Sequence, residues 1–555
     1  MRGVRRLPRR TLLLLAGLAA VLYKLWLVEV HDLYMVGSPM DDLYFVRTAH
    51  QLLLGNWLGP YTQYTLMSGP VYALWIALCY LLAIPLHLGQ QLLYAGASLV
   101  AVLALVPAVR RRGWLLLAFV FLLFNPFTYD YSSSAGAFRL GIYPALALLV
   151  VSCSIGLYVR VATVGRPAWP WAVGLGAALA AFWYTREEGL WMFPALGVSA
   201  VLLLAAGWRR LGGRRLAGLL LLPPALLVAA GLTLGYLNWR HYGIFTDVEI
   251  KSGAFKSAYA ALLRVQDPPP PRYQLMPPAT IQALADVSPA FREIAPYMRQ
   301  LPASVFIWGF RDAVQAAGYY DHNGPDDREN GPKTLDFYAR LGRELRQACA
   351  QARIRCSRSP MSFLPPWRPE YTRDLWDTFR SITRMLVSFE GFEPRMLSKW
   401  ISRDPYSTSW LFAYITGERL RPTRRALLAK IPEAHVAFQQ LKTHRLLRIG
   451  RDYYQNLVPW LFYPAVGLIL VAAAVEAAGR RLAAVTGAGL IALAALLTHL
   501  VMLTVVAVTA LFAQRYLSAS YPLVILIVVI GVVEAVRLGA ASWSWWRGRH
   551  PAATP

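Results

Sequence analysis

Acidic side chains are scarce in this chain. Asp and Glu together number 30 against 56 Lys and Arg, and the four charged types make up only 15% of 555 residues. So little charge, beside 56% hydrophobic residues, excludes an ordinary soluble domain, in which about a quarter of residues are charged. Cysteine is scarcer still, at four residues, which excludes a disulfide-built scaffold. Cys79 and Cys153 sit in apolar runs and read as small core residues. Cys349 and Cys356 form a C-x6-C pair in a polar region, a disulfide candidate where that region is extracytoplasmic. The histidines show no metal-ligand spacing. No P-loop, Gly-x-Gly-x-x-Gly or Gly-x-Ser-x-Gly motif occurs, so the sequence lacks those phosphate, dinucleotide and serine-hydrolase devices.

What the chain has in abundance is apolar runs separated by short basic clusters: "MRGVRRLPRR", "RRRGW", "WRRLGGRRL", "GRRL" and "WWRGRH". A formal charge of +26 is compatible with nucleic acid, but this placement suits cytoplasmic loops and anionic lipid headgroups instead. Nucleic acid is not an expected partner; membrane lipids are. The first apolar run, "TLLLLAGLAAVLYKLWLVEV", is long enough to span and shows no small-x-small cleavage site, so it reads as a retained anchor.

The positive-inside rule then orders about ten spans, near 11–29, 90–109, 114–126, 140–159, 169–184, 190–207, 216–237, 455–476, 483–512 and 521–538. The run at 483–512 is long enough to hold a kink or a hairpin. "PVYALWIALCYLLAIPL" (70–86) is short and bounded by Pro, and it reads as a helix on the membrane surface. The expected organisation is a transmembrane core over 1–240 with its first outer loop at 30–89, an extracytoplasmic and mostly helical domain over 241–452, and C-terminal transmembrane helices over 453–555. The expected fold class is an all-α polytopic membrane protein with both termini inside. The Arg- and Ala-rich composition points to a bacterial inner membrane.

This topology gathers four distant pieces on the outer face: Asp41 and Asp42, Arg139, "TREEG" (185–189) and "QRYLSASYP" (514–522). Carboxylates and arginines together suit displacement at an anomeric carbon linked to phosphate. A carboxylate takes a proton from an acceptor hydroxyl, and arginines stabilise the departing phosphate. Each piece also has a plainer reading. "SPMD" resembles a helix start with Ser38 as N-cap and Asp41 at N3, and "TREE" repeats it with Thr185 and Glu188. Arg139 and Arg515 flank spans and suit snorkelling to headgroups. In a helix over Met40–Leu54, however, Asp42 shares a face with Val46, Ala49 and Leu53, opposite Arg47, His50 and Gln51. Capping and catalysis are compatible, since a helix N-terminus keeps a carboxylate ionised. Transporters place their charges near the bilayer midplane. Here the charges stand at span ends, which favours surface chemistry over a flippase for lipid-linked glycans or a non-catalytic envelope assembly protein.

The stretch "DDLYFVRTAHQLLLGNWLGPYTQYTLMSGPVYALW", with "WYTREEGLWMFP" and "RYLSASYP", resembles the GT-C superfamily of integral-membrane glycosyltransferases. It is most similar to the branch of lipid A aminoarabinose transferases and protein O-mannosyltransferases. The resemblance covers residues 1–245 and, more loosely, the last spans. It implies inverting transfer of a sugar from a polyprenyl-phosphate carrier to an acceptor glycan, lipid or protein beyond the membrane. By that likeness Asp41 is the base, while the helical face favours Asp42. Arg139, Arg186 and Arg515 would hold the donor phosphate. Glu187 or Glu188 would orient a sugar hydroxyl or the base, with Tyr44, Tyr61 and Tyr516 as further sugar-facing candidates. Two departures stand out: Ser68 and Gly69 replace the Lys or His that relatives carry before Pro70, and "AFRLGIYP" offers no acid, Asp130 lying about ten residues early. No cofactor is assigned, and a divalent metal, which needs several carboxylates, is not favoured.

Overall fold

The computed structural model describes residues 8–31, 38, 41–109, 111–130, 136–163, 167–208, 210–266, 276–300, 307–320, 327–357, 365–392, 409–418, 433–479, 482–510 and 512–549. The basic start at 1–7, Pro39, Met40, Arg110, the "DPPPP" stretch, Arg480 and Arg481 lie outside the described residues.

A chain in hydrocarbon must satisfy its own backbone polar groups, so long apolar runs become helices. Among the described residues eight helices are long and apolar enough to cross a membrane: Arg10–Val28, Leu86–Leu105, Tyr143–Ala162, Gly189–Gly207, Gly213–Tyr242, Gln439–Ala478, Ala484–Thr509 and Gln514–Ala540. The other two expected spans form shorter apolar helices, Arg112–Leu123 and Trp169–Trp183. The run at 483–512 contains no hairpin, because Ala484–Thr509 is one helix of 26 residues. Val71–Leu81 is a separate helix of 11 residues, too short to span. Among the described residues there is no strand, only an isolated bridge between Val265 and Cys356. The chain is an all-α polytopic membrane protein.

Tyr143–Ala162 is the most buried of the eight, with 83% of its apolar window inside the protein. It packs against Leu86–Leu105, Trp169–Trp183, Met192–Gly207 and Ala484–Thr509. Other basic side chains lie well along their helices from Arg139 and Arg515: Arg160 in the last turn of Tyr143–Ala162 and Arg537 sixteen residues into the helix that starts at Tyr521. Arg160 donates to the carbonyls of Leu103 (2.9 Å) and Ala104 (3.1 Å), and Arg537 pairs with Glu534 and Glu476.

A second hydrophobic core lies outside the bundle. It is built from residues 242–354 and takes in Leu58, Tyr61 and Leu66 from the loop between the first helices. At its centre Glu249, fully buried, accepts from the hydroxyls of Tyr61 (2.5 Å) and Tyr320 and pairs with buried Arg311 (3.0 Å). The backbone N–H of Glu249 donates to the Leu66 carbonyl (2.8 Å), and Arg311 Nε donates to the Gln63 carbonyl (2.7 Å). Cys349 and Cys356 are disulfide-bonded, with Cα atoms 5.6 Å apart. Residues further on return to the bundle: Ile382, Leu386, Phe389, Phe412, Ile415 and Leu446 belong to its core.

A buried ion pair broken on one side leaves an uncompensated charge, which costs about 3–5 kcal/mol. Arg311→Leu is therefore expected to destabilise the 242–357 region by about that amount. Limited proteolysis in urea would read this as earlier cleavage there than in the bundle; an unchanged cleavage profile would contradict it.

Candidate functional site

The helix predicted after Ser38 runs from Asp42 to Leu53. Asp42, Val46 and Ala49 are buried and Arg47 is exposed, as the helical period placed them. The capping is different from the sequence reading. Ser38 does not cap the helix. Its backbone N–H donates to Asp42 Oδ1 (2.8 Å), and the same oxygen takes the Leu43 N–H (2.9 Å). Asp42 is fully buried and holds the turn together. Asp41, immediately before the helix, makes no side-chain cap bond and faces a cavity instead. The "TREE" cap is also corrected: the Thr185 hydroxyl donates backward to the Ala181 carbonyl (2.6 Å) and closes the preceding helix.

Two loops meet beneath this turn. A Cβ on Gly69 would lie 2.0 Å from the Tyr184 carbonyl oxygen, so only glycine lets residues 68–70 approach the 184–188 loop. That contact gives a physical reason for Gly69 where a Lys or His was looked for. Its neighbour Ser68 accepts from Arg139 Nη1 (3.2 Å). Arg139 also pairs with Glu187 (2.7 Å), and Arg186 pairs with Glu188 (2.6 Å). Burial pushes the Glu187 carboxyl up, but Arg139 and hydrogen bonds outweigh it, and the net shift is downward. Among the described residues Arg515 is paired with no carboxylate. It is exposed, with its guanidinium 5.8 Å from the Tyr516 ring; the guanidinium of buried Arg186 also lies 5.8 Å from that ring.

These groups line a cavity of about 270 Å³. Of the sequence candidates, Asp41, Arg139, Arg186, Glu188, Arg515 and Tyr516 line it; Asp42, Glu187, Tyr44 and Tyr61 do not. The Tyr44 hydroxyl donates to the Thr65 carbonyl (2.9 Å), and Tyr61 is committed to Glu249 in the second core. Both are buried and bonded, so neither reaches the cavity. The inward face that singled out Asp42 is a protein-interior face, not the cavity. Three further lining residues are Phe138, Leu140 and Trp308, which carried no recognisable signal in the sequence. Trp308 comes from the Ile307–Ala316 helix of the second core. That helix is bolted to the first loop. Asp312 accepts from Tyr64 (2.9 Å) and Gln63 (3.2 Å), and Arg311 holds the Gln63 carbonyl. Among the described residues no group of three His, Cys, Asp or Glu side chains is placed to hold a metal ion.

Fold and site together define a polytopic helical membrane protein with two carboxylates, Asp41 and Glu188, and three arginines lining one cavity. No family model matches the sequence, and no curated protein matches it. Among solved structures the chain is similar to ArnT from Cupriavidus metallidurans in the apo state, at 15% identity and a TM-score of 0.30, over 96% of this chain and 78% of that one. It is similar also to ArnT of the same organism bound to undecaprenyl phosphate, at 13% identity and a TM-score of 0.29, over 95% and 77%.

Burial raises the Asp41 carboxyl, Arg139, Arg515 and Arg186 pull it back, and Asp42 adds to the rise; the net shift is upward. Carbodiimide labelling of Asp41, followed by mass spectrometry across pH, is expected to show a midpoint above the ordinary value of about 3.9. Arg515→Leu removes a cation that favours the carboxylate, so the midpoint is expected to rise further. A midpoint that stays in place would contradict the electrostatic coupling.

Proposed function

We propose that this chain is a membrane glycosyltransferase that moves a sugar from a polyprenyl-phosphate donor to an acceptor hydroxyl on the extracytoplasmic side, with inversion at the anomeric carbon. The observation that carries the reading is the pairing pattern in the cavity. Of the two carboxylates that line the space, Glu188 is paired with Arg186, and Asp41 is in no ion pair among the described residues; among those residues Arg515 is the cation there with no carboxylate partner. Glu187 and Glu188 occupy the other two arginines, leaving Arg515 to meet a phosphate.

In this mechanism Asp41 takes the proton from the acceptor hydroxyl as its oxygen bonds to the anomeric carbon. The bond from that carbon to the phosphate oxygen breaks, and its electron pair leaves with the phosphate. Arg515 and Arg186 stabilise the charge that develops there. The raised pKa of Asp41 makes it a stronger base than an exposed aspartate. Asp42 fixes the turn that aims Asp41, and Arg139 ties the 68–70 segment to Glu187. Tyr516 and Trp308 offer ring faces to the sugar from opposite domains. A lipid tail of the donor would run down the bundle below. The basic clusters at the other helix ends support an orientation with this cavity outside.

Asp41→Asn is expected to lower turnover with a polyprenyl-phosphate sugar by about 10²–10⁴-fold, the usual worth of a general base, while the protein still folds. Asp42→Asn is expected to show first as lost stability, and Arg515→Leu as a raised KM for the donor. Normal turnover in the Asp41→Asn protein would sink the proposal.

A further inference from the structure

A larger cavity, of about 510 Å³, lies where the turn at 126–129 meets the last turns of the Glu433–Ile449 helix. Three independent features converge on it. The backbone of Gly450–Gln455 is a π-helix, a rare conformation that concentrates at functional sites, and Gly450, Arg451 and Asp452 of that turn line the space. Arg448 and His444 stand beside them. Neither arginine, nor Asp452, has an ion-pair partner among the described residues. The Tyr129 side chain, 1% exposed, also lines the cavity, and its hydroxyl makes no hydrogen bond among the described residues. A buried hydroxyl left unbonded is costly, and the residue that carries this one borders a cavity. A Cβ on Gly450 would stand only 3.2 Å from that hydroxyl, so the glycine keeps the approach to the Tyr129 hydroxyl open.

The height of the cavity is marked by its surroundings. Tyr453, Trp460 and Tyr463 are 57%, 80% and 57% exposed, at the start of the apolar helix Val458–Ala478. Exposed aromatics at a span end mark the headgroup level of a bilayer. Phe392 and Pro126 add an apolar wall.

We propose that this cavity binds the anionic, hydroxyl-bearing phosphate head of a membrane lipid. Arg448 and Arg451 take the phosphate, and the Tyr129 hydroxyl and Asp452 take hydroxyls of the head. The site is distinct from the Asp41 cavity and does not depend on the glycosyltransferase reading. A soluble polyol phosphate has the same recognition chemistry; the aromatic belt favours the lipid.

The test uses the purified full chain in detergent, with lipid retention read by native mass spectrometry. The probes are dioleoyl-phosphatidylglycerol, dioleoyl-phosphatidylcholine and glycerol 3-phosphate. The wild type is expected to retain phosphatidylglycerol over phosphatidylcholine. The Arg448→Gln/Arg451→Gln variant is expected to bind phosphatidylglycerol about tenfold more weakly. Tyr129→Phe, which removes only the hydroxyl, should weaken it several-fold without lowering the melting temperature, and it decides the matter alone where the double variant fails to fold. Asp41→Asn is expected to leave retention unchanged. Equal retention of the two lipids, or retention unchanged in the variants, overturns the proposal. Glycerol 3-phosphate binding as tightly as phosphatidylglycerol overturns the assignment to a lipid.

Discussion

One buried carboxylate ties the first loop to the second core. Glu249 gathers Tyr61 from the first loop, Arg311 and Tyr320 from the second core, and the Leu66 carbonyl through its own backbone N–H. Further hydrogen bonds offset part of the cost of taking such an ion pair out of water. Here the Tyr61 and Tyr320 hydroxyls engage the carboxylate, and the Gln63 carbonyl engages Arg311 Nε. The consequence is positional. Trp308 lies one turn before Arg311, so fixing Arg311 against the first loop fixes an aromatic wall of a cavity whose acid stands at that loop's other end.

The cavity itself is a balance of compensated and uncompensated charge. Two of its arginines arrive with glutamates from the 187–188 pair, and among the described residues the third has no such partner. Salt bridges that cross between loops position groups; a lone cation is what remains available to a ligand. The same division separates the two aspartates. Asp42 spends its oxygen on two backbone N–H groups, while Asp41 faces open space beside the arginines.

The bundle was legible because its information is local. Apolar run length, basic clusters and Pro boundaries each speak for the segment that holds them, and the helices at 71–81, 143–162 and 213–242 follow from such signals. The membership of Arg139, "TREEG" and "QRYL" in one neighbourhood was also readable, since alternating spans return those segments to one side. What could not be read was choice between neighbours. A helical wheel shows that Asp42 points inward, but not whether inward means a cavity or a knot of backbone N–H groups. Tyr61 and Trp308 were opaque for a related reason. Their partners, Glu249 and the first loop, lie well over a hundred residues away in the chain, and no local period encodes such a meeting. Thr185 and Ser38 carried helix-start patterns that the structure uses otherwise: the Thr185 hydroxyl donates to the carbonyl a turn behind it, and the Ser38 N–H donates to Asp42.

The run of helical turns from Gln439 to Ala478 covers 40 residues. At about 1.5 Å per residue it is roughly 60 Å long, twice the thickness of a hydrocarbon core. Half of it must therefore stand clear of the lipid tails. The side chains along that half are thereby carried out of the hydrocarbon to the level of headgroups and water.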